Sequence, residues 1–155
     1  TLHRPETVDN SINFKKIIHT FNKIANLYKK KIIFPVHPRT EKILKKFKKQ
    51  INKNIIITKP LEYIDFLFLM KNCRIVFTDS GGIQEESSIL GTPCITTRTS
   101  TERQITVKSK VNIMTGYDQK KIINAVKKFY NIKINKLKLF GDDKVAEKIY
   151  KFLKK

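Results

Sequence analysis

Stretches with helical periodicity alternate with short apolar runs from one end of the chain to the other. The first helical stretch begins at Ser11, a residue suited to capping, and apolar residues then recur every three or four positions as far as Tyr28. The side predicted to be buried carries Ile17, Ile18, Phe21, Ile24, Ala25 and Leu27. The same period predicts further helices after Thr40 and Pro60, from Gly81 to about Leu90, and over 118–130 and 144–152.

Five short apolar runs separate these stretches and are predicted to be strands: 31–36, 55–57, 74–78, 94–97 and 111–114. Alternating strands and helices are typical of βα units around a parallel sheet. The pattern therefore predicts the α/β class, with a Rossmann-like parallel sheet and helices on both of its faces. Aromatic residues at core spacing are predicted to pack inside: Phe14, Phe21, Phe129 and Tyr150.

Composition indicates one domain without a membrane span. The 155 residues are 40 % hydrophobic, and single domains typically hold about 100 to 200 residues. Polar residues interrupt every apolar run well before the roughly 18 positions that a membrane helix needs. Cys73 and Cys94 have no CxxC or CxxH neighbours, so neither a zinc site nor a disulfide framework is indicated, and a reducing cytoplasmic location is expected. The opening Thr1-Leu2-His3-Arg4 resembles a strand end, which predicts a fragment of a longer protein.

The net charge of +20 raises the alternative of a nucleic-acid-binding module. Most of the charge comes from lysines on the polar faces of predicted helices, as in 45–49 and 120–128. Nucleic-acid binding usually needs a clustered basic stripe, whereas this charge is spread over the whole chain. The distribution therefore favours a solvated surface and argues against nucleic acid as the principal partner.

The strongest local motif lies at 75–86, where an apolar strand meets paired glycines at the start of a helix. Gly81 and Gly82 let a phosphate approach the backbone, and the first N–H groups of a helix favour negative charge. Ser80 adds a hydroxyl donor, and Glu86, one turn further on, is placed to accept hydrogen bonds from ribose hydroxyls. The alternative is a tight βα turn with no ligand. Neither GxGxxG nor a P-loop is present.

Three other polar motifs also follow predicted strands or precede helices, at the sheet edge where ligands bind in such folds. They are His3-Arg4-Pro5-Glu6, His37-Pro38-Arg39 and Thr101-Glu102-Arg103. Three of the five arginines fall in these motifs, although the chain otherwise strongly prefers lysine. The planar fork of arginine matches phosphate, so this placement suggests an anion site. For each arginine an ordinary ion pair is the alternative, and for His3 and His37 it is an N-cap or loop-packing role.

With these residues in view, the chain resembles the C-terminal half of the UDP-N-acetylglucosamine 2-epimerases, a family with a two-domain GT-B-like fold. The likeness covers nearly the whole chain, 1–155, and rests on seven motifs in order. They are Thr1-Leu2-His3-Arg4-Pro5-Glu6 with Val8-Asp9-Asn10, Phe34-Pro35-Val36-His37-Pro38-Arg39-Thr40, Pro60-Leu61-Glu62-Tyr63, Thr78-Asp79-Ser80-Gly81-Gly82-Ile83-Gln84-Glu85-Glu86, Gly91-Thr92-Pro93-Cys94, Thr101-Glu102-Arg103, and Gly141-Asp142.

The resemblance implies a role for each site residue. Ser80, Gly81 and Gly82 would hold the diphosphate of UDP, Glu86 the ribose hydroxyls, and Phe66 would lie by the uracil. His3 and Arg103, the candidate catalytic residues, would contact the diphosphate and the leaving-group side of the sugar. Arg4 and His37 match positions that touch a second, allosteric UDP-N-acetylglucosamine in the regulated members.

The resemblance also implies the reaction and its partners. The family inverts C2 of the sugar by eliminating UDP and adding it back, with no metal or redox cofactor. The carboxylates that move the C2 proton belong to the N-terminal domain, which this chain lacks, and the full-length enzyme is expected to be a homodimer. A hydrolysing epimerase is the nearest alternative. A glycosyltransferase of the same architecture is a further one, but no Glu-x7-Glu pattern is found here. Thr7 and the loop Arg98-Thr99-Ser100 depart from the family pattern, which leaves fine specificity open.

Overall fold

The computed structural model describes residues 1–132, 134–137, 139–141 and 144–154. Eight α-helices and five strands alternate in this part of the chain. The helices are α1 (Pro5–Val8), α2 (Ser11–Tyr28), α3 (Pro38–Phe47), α4 (Tyr63–Asn72), α5 (Gly81–Leu90), α6 (Gln104–Lys108), α7 (Gln119–Phe129) and α8 (Val145–Leu153). The strands are β1 (Ile32–Pro35), β2 (Ile55–Thr58), β3 (Val76–Thr78), β4 (Cys94–Thr96) and β5 (Asn112–Met114). A 3-10 turn, Lys48–Gln50, follows α3.

Every strand pair is parallel, as the alternation of helices and strands predicts. β1 pairs with β2, and β3, β4 and β5 form a second ladder in that order. Helices α2, α3 and α7 pack together as one layer, and α4, α5 and α6 form the other. The predicted α/β class with helices on both faces is confirmed, and the sheet consists of two ladders.

The first residues of the chain run alongside β3. The Thr1 amino group donates to the carbonyl of Phe77 at 2.8 Å, and the His3 N–H donates to the side chain of Asp79 at 3.0 Å. Thr1 to His3 therefore advances in the same direction as β3. Both segments end at the same edge of the sheet, which brings the His3 motif to the start of α5.

The core forms mainly between α2, α7 and the sheet. Phe14, Phe21 and Phe129 are buried as predicted, and at most 3 % of the surface of each residue is exposed. Two predicted core residues are exposed instead, Leu27 at 60 % and Tyr150 at 59 %. Leu27 lies in the last turn of α2, off its buried stripe. Tyr150 lies on α8, which has no buried residue, so helical periodicity there marks an apolar face that the described chain does not cover.

Two further details differ from the sequence-based assignment. The apolar run 55–57 predicts a buried strand, but only Ile55 is buried. Ile56 and Ile57 are 37 % and 42 % exposed, because β2 is an edge strand. The short helices α1 and α6 were not predicted, since four or five residues are too few to show a period.

Asp142, part of the last family motif, lies outside the described residues. None of the helices in the described part is both long and apolar enough to span a membrane.

Candidate functional site

The start of α5 forms the centre of the candidate site. β3 ends at Thr78, the buried Asp79 follows, and Ser80 is the N-cap residue in extended conformation. The Ser80 side chain makes no capping hydrogen bond, so the first turn of α5 is left without a side-chain acceptor from its own cap. The helix dipole and these first N–H groups favour an anion at this position.

The two glycines of this turn have different surroundings. A Cβ at Gly81 would lie 2.7 Å from Oε1 of Glu102 and 3.9 Å from Cζ of Arg103, so Gly81 is in close contact with the 101–103 motif. A Cβ at Gly82 would meet no protein atom within 4 Å. Packing within the described chain therefore does not require glycine at position 82. The open space in front of Gly82 is where a ligand can approach the backbone.

Asp79 fixes the His3 motif against this helix start. Its carboxylate is fully buried and accepts hydrogen bonds from the N–H of His3, at 3.0 and 3.1 Å, and of Arg4, at 2.9 Å. His3 Nδ1 lies 3.5 Å from Asp79 Oδ1. One buried side chain thus holds both His3 and Arg4 at the residue that precedes Ser80.

His3 and His37 lie side by side, with ring centroids 5.4 Å apart. Partial burial lowers the pKa of His3, and the neighbouring His37 and Arg4 lower it further, while Asp79 opposes them. His3 is therefore a neutral donor or acceptor at neutral pH. His37 is the N-cap of α3, and its Nδ1 accepts from the Arg39 N–H at 3.1 Å, which leaves Nε2 to carry the proton of the neutral ring. His37 therefore caps α3, which was the alternative to an anion-binding role for this residue.

A buried polar network connects the start of α5 to the 101–103 motif. Gln84 lies at its centre and is fully buried. Its Nε2 donates to the Ser80 carbonyl at 3.2 Å, and its Oε1 accepts from Thr101 Oγ1 at 2.8 Å and from Asn112 Nδ2 at 3.1 Å. Thr101 Oγ1 in turn accepts from the Arg103 N–H at 3.0 Å. Hydrogen bonds through Gln84 and Thr101 therefore fix the position of the Arg103 backbone relative to that of Ser80.

Charged side chains surround this space. Arg103 forms an ion pair with Glu85 on α5, and Arg4 Nη2 lies 3.6 Å from Glu102 Oε1. Glu102 also accepts from Arg98 at 3.0 Å. The Nε of Arg4 is buried and has no hydrogen-bond partner within the described residues. The guanidinium groups of Arg4 and Arg103 therefore lie beside the helix start, and each is paired with a carboxylate.

The remaining arginines have structural roles. Arg39 donates two hydrogen bonds to the Asp9 carboxylate, of 2.6 and 3.2 Å. The Cζ of Arg74 lies 4.9 Å from the centroid of the Tyr130 ring. The ion-pair alternative thus holds for Arg39, although it belongs to one of the three edge motifs. Pairing with carboxylates therefore accounts for part of the concentration of arginines in the edge motifs, and an anion site is not needed to explain every one of them.

Glu86 lies on α5, further from the helix start, with the hydroxyl of Tyr63 as its hydrogen-bond donor. Partial burial raises the pKa of Glu86, and the Tyr63 hydrogen bond opposes that rise. Phe66 is one turn beyond Tyr63 on α4 and lines a cavity in the sheet between β1 and β3. Tyr63 therefore links the helix that carries Phe66 to the carboxylate of Glu86.

The structure brings His3, Arg4, His37, Gly81 and Arg103 together at one sheet edge. Sequence reasoning had not singled out Asp79, Gln84 or Tyr63. A carboxylate directly after a buried strand and before paired glycines was the available signal for Asp79. The role of Gln84 had no such signal, because its partners lie 17 and 28 residues away. Among the described residues no three His, Cys, Asp or Glu side chains are grouped so that they could hold a metal ion.

Family membership follows from comparison with known proteins. The family model described as UDP-N-acetylglucosamine 2-epimerase matches residues 1–154. The chain belongs to this family. Its resemblance to that family in sequence motifs is thereby confirmed.

Two archaeal relatives illustrate the likeness. A UDP-N-acetylglucosamine 2-epimerase of Methanocaldococcus jannaschii is 46 % identical over 99 % of this chain, and one of Methanococcus maripaludis is 43 % identical over 92 %. The crystal structure of the M. jannaschii enzyme in complex with UDP-GlcNAc and UDP superposes with a TM-score of 0.91 at 45 % identity. The superposition includes 99 % of this chain but only 43 % of the M. jannaschii enzyme. The chain thus spans less than half the length of these relatives.

Proposed function

We propose that this chain is the UDP-binding, C-terminal half of a non-hydrolysing UDP-N-acetylglucosamine 2-epimerase, which interconverts UDP-GlcNAc and UDP-ManNAc. One observation carries the proposal. The uncapped start of α5 opens onto an unobstructed space at Gly82, and His3, Arg4 and Arg103 converge beside it. In this proposal the diphosphate lies there, with Ser80, Gly81 and Gly82 as its backbone and hydroxyl donors. The solved M. jannaschii relative is a complex with UDP-GlcNAc and UDP, which supports the ligand class.

In the proposed reaction the C1–O bond to UDP breaks as a base removes the proton from C2. The resulting 2-acetamidoglucal takes UDP back at C1 and a proton at C2 on the opposite face. Negative charge grows on the leaving diphosphate in the transition state, so donors fixed around it accelerate the step. This half supplies that stabilisation through the α5 dipole, Arg103 and a neutral His3. The groups that move the proton lie outside this chain.

Glu86 and Phe66 complete the nucleoside end of the proposal. The Glu86 carboxylate accepts the ribose hydroxyls, and Tyr63 keeps that carboxylate oriented. Phe66, half-buried on the same helix as Tyr63, contacts the uracil. Arg4 and His37 would meet the second nucleotide-sugar that regulates some members. Cytoplasmic location and a homodimeric full-length enzyme complete the proposal.

Calorimetry with UDP tests the binding role of this half. We expect the chain to bind UDP with a Kd on the order of 0.1 to 1 mM, because only one wall of the cleft is present. Glu86→Ala should weaken binding by about 1 to 3 kcal/mol through loss of the charged acceptor, and Arg103→Lys should also weaken it. Matched controls are Glu41→Ala and Arg74→Lys, which lie away from α5. Unchanged affinity in both site variants would refute the assignment.

The division of labour is tested by proton exchange at C2 of UDP-GlcNAc in deuterated water. The isolated chain should show none, because in this proposal the base that removes the C2 proton belongs to the N-terminal domain. Deuterium at C2 at an enzyme-like rate would place the base in this half, with Glu6 or Glu102 as candidates. For the full-length protein, a UDP-linked product supports the non-hydrolysing reaction, and release of free sugar supports the hydrolysing alternative.

A further inference from the structure

One peptide group of the chain, the one that joins Leu2 to His3, is held from both sides. Its N–H donates to the carboxylate of Asp79 at 3.0 and 3.1 Å, and its C=O accepts from Thr40 Oγ1 at 2.5 Å. The peptide is trans, so its N–H and C=O point in opposite directions, and Asp79 and Thr40 lie on opposite sides of the chain. Leu2, Thr40 and Asp79 are fully buried. We call this arrangement the Leu2–His3 clamp.

The two sides of the clamp belong to different βα junctions. Asp79 follows β3 and precedes α5, whereas Thr40 lies in the first turn of α3. The Thr40 N–H donates to the His37 carbonyl at 2.8 Å, and Pro38 restricts the backbone of the same turn, so the hydroxyl projects from a rigid helix start. Hydrogen bonding of the peptide N–H to a carboxylate also makes its carbonyl a stronger acceptor. The clamp therefore connects the starts of α3 and α5 through one peptide group.

The α3 motif makes two further contacts with the first segment of the chain, and both are weaker. Arg39 pairs with Asp9, but about half of each side chain is exposed, where water screens an ion pair. The rings of His37 and His3 make a packing contact, with centroids 5.4 Å apart. A buried carbonyl that loses its hydrogen bond, by contrast, carries the full cost of its desolvation. The Thr40 bond is therefore the contact of this motif on which the position of the His3 backbone depends most.

We propose that Thr40 is a positioning residue for the anion site at the start of α5. Its bond to the Leu2 carbonyl fixes the backbone from which the side chains of His3 and Arg4 extend. Without this bond the peptide group can turn about its hydrogen bonds to Asp79, and both side chains are displaced. The inference rests on the proposed function, because it concerns the same UDP site. It gives the α3 motif a role there through a residue that touches no ligand.

UDP binding by single variants tests the proposal. Thr40→Val removes the hydroxyl at nearly constant volume, and we expect it to raise the Kd for UDP about tenfold. Thr40→Ser keeps the hydroxyl and should bind within about twofold of the parent. Thr92→Val is the matched control, because Thr92 Oγ1 also donates to a buried carbonyl, that of Met70, at 2.8 Å, but just before β4 at the opposite edge of the sheet. Arg39→Lys changes only the exposed pair and should also stay within about twofold.

The ring of His3 provides a readout that a loss of stability alone does not move. The chain has three histidines, and His19 lies on α2, where its ring contacts Gln119. Thr40→Val should shift the Cε1–H NMR signal of His3 and leave that of His19 in place. Thr92→Val should leave both signals in place, although it also removes a buried hydrogen bond.

Two results would overturn the proposal. One is a Kd for UDP that rises no more in Thr40→Val than in Thr92→Val, and the other is equal weakening in Thr40→Ser, which would assign the effect to packing. Thr40→Ala, which admits a water to the Leu2 carbonyl, replaces Thr40→Val in both comparisons if the latter does not fold.

His3→Ala separates this inference from the proposed function. Full UDP affinity in that variant would refute the contact between His3 and the diphosphate. The His3 signal of Thr40→Val would still decide whether the clamp positions the ring, and an unshifted signal would overturn the clamp itself.

Discussion

Two helix starts in this chain are held in opposite ways. α2 begins at Asn10, whose Oδ1 accepts hydrogen bonds from the N–H of Ile12 at 3.0 Å and of Asn13 at 3.1 Å. α5 begins at Ser80, whose side chain makes no capping bond. Instead, Gln84 reaches back from inside the first turn and donates to the Ser80 carbonyl.

The difference separates a structural helix start from one available to a ligand. A cap such as Asn10 fills the outer end of the helix with the protein's own acceptor. An anchor such as Gln84 holds the turn from its buried side and leaves the outer N–H groups facing the open space at Gly82. Stability and anion binding should therefore respond to different residues at the two starts.

Gln84→Leu should produce the largest effect on stability, because it removes the inner anchor of α5. The substitution deprives Thr101 and Asn112 of their buried partner, and we expect a loss of about 2 to 3 kcal/mol in the free energy of unfolding. Gln50→Leu, at an exposed position, is the matched control. Chemical denaturation measures both. A loss below about 0.5 kcal/mol, the range of ordinary surface changes, would mean that the α5 start is held by other contacts.

Gly82→Ala should affect UDP binding and leave folding stability unchanged, the opposite of Gln84→Leu. No protein atom lies within 4 Å of the added methyl group, so stability should stay the same or rise slightly. The methyl group would occupy the space proposed for the diphosphate and should weaken UDP binding by about 1 to 3 kcal/mol. Gly81→Ala provides a comparison, because its methyl group meets the movable end of Glu102. Calorimetry that shows full affinity for Gly82→Ala would place the ligand elsewhere.

Much of the fold was predictable because it depends on local pattern. The 3.6-residue period of α2 and the apolar runs at β1 and β3 identify elements that the structure confirms. The errors lie where burial depends on distant parts of the molecule. Tyr150 has the spacing of a core residue, but nothing in the described chain covers α8. Ile57 has the composition of a central strand, but β2 lies at an edge.

The candidate site was predictable only in its outer residues. Ser80 and Gly82 stand in a recognisable strand–turn–helix junction, which a single sequence displays directly. Asp79 and Gln84 act through partners that are remote along the chain, as in the contact of Asp79 with His3 across 76 positions. Such contacts arise from the topology of the sheet. A local motif therefore identifies what can touch a ligand better than what holds those residues in place.

The two caps themselves provide a smaller, reciprocal test. Asn10→Ala should lower the free energy of unfolding by about 1 kcal/mol and leave UDP affinity unchanged. Ser80→Ala should leave stability nearly unchanged and weaken UDP binding by about 0.5 to 1.5 kcal/mol, the contribution of one hydroxyl hydrogen bond. Denaturation and calorimetry on both variants complete the comparison. If Ser80→Ala destabilises the chain as much as Asn10→Ala, Ser80 acts as an ordinary cap.

Glu102→Gln should have the smallest effect, and it tests whether the open start of α5 attracts anions in general. The Glu102 carboxylate lies against Gly81, where it opposes a second negative charge. A hydrogen bond from its own backbone N–H, together with Arg98, lowers the pKa of Glu102, so the side chain is charged at neutral pH. Removing that charge should strengthen UDP binding by about 0.2 to 1 kcal/mol at low salt.

High salt should reduce the gain from Glu102→Gln, because screening weakens exposed charge interactions. Glu41→Gln, on α3, is the control and should change nothing. Because the pKa of Glu102 is lowered in the folded chain, its ionised form contributes stability above its ordinary pKa, and this contribution is lost as the pH falls through the lowered value. The variant should therefore be slightly less stable at neutral pH while binding UDP more tightly. Weaker binding would instead show that Glu102 acts mainly by positioning Arg4 and Arg98, so that holding the guanidinium groups outweighs charge repulsion.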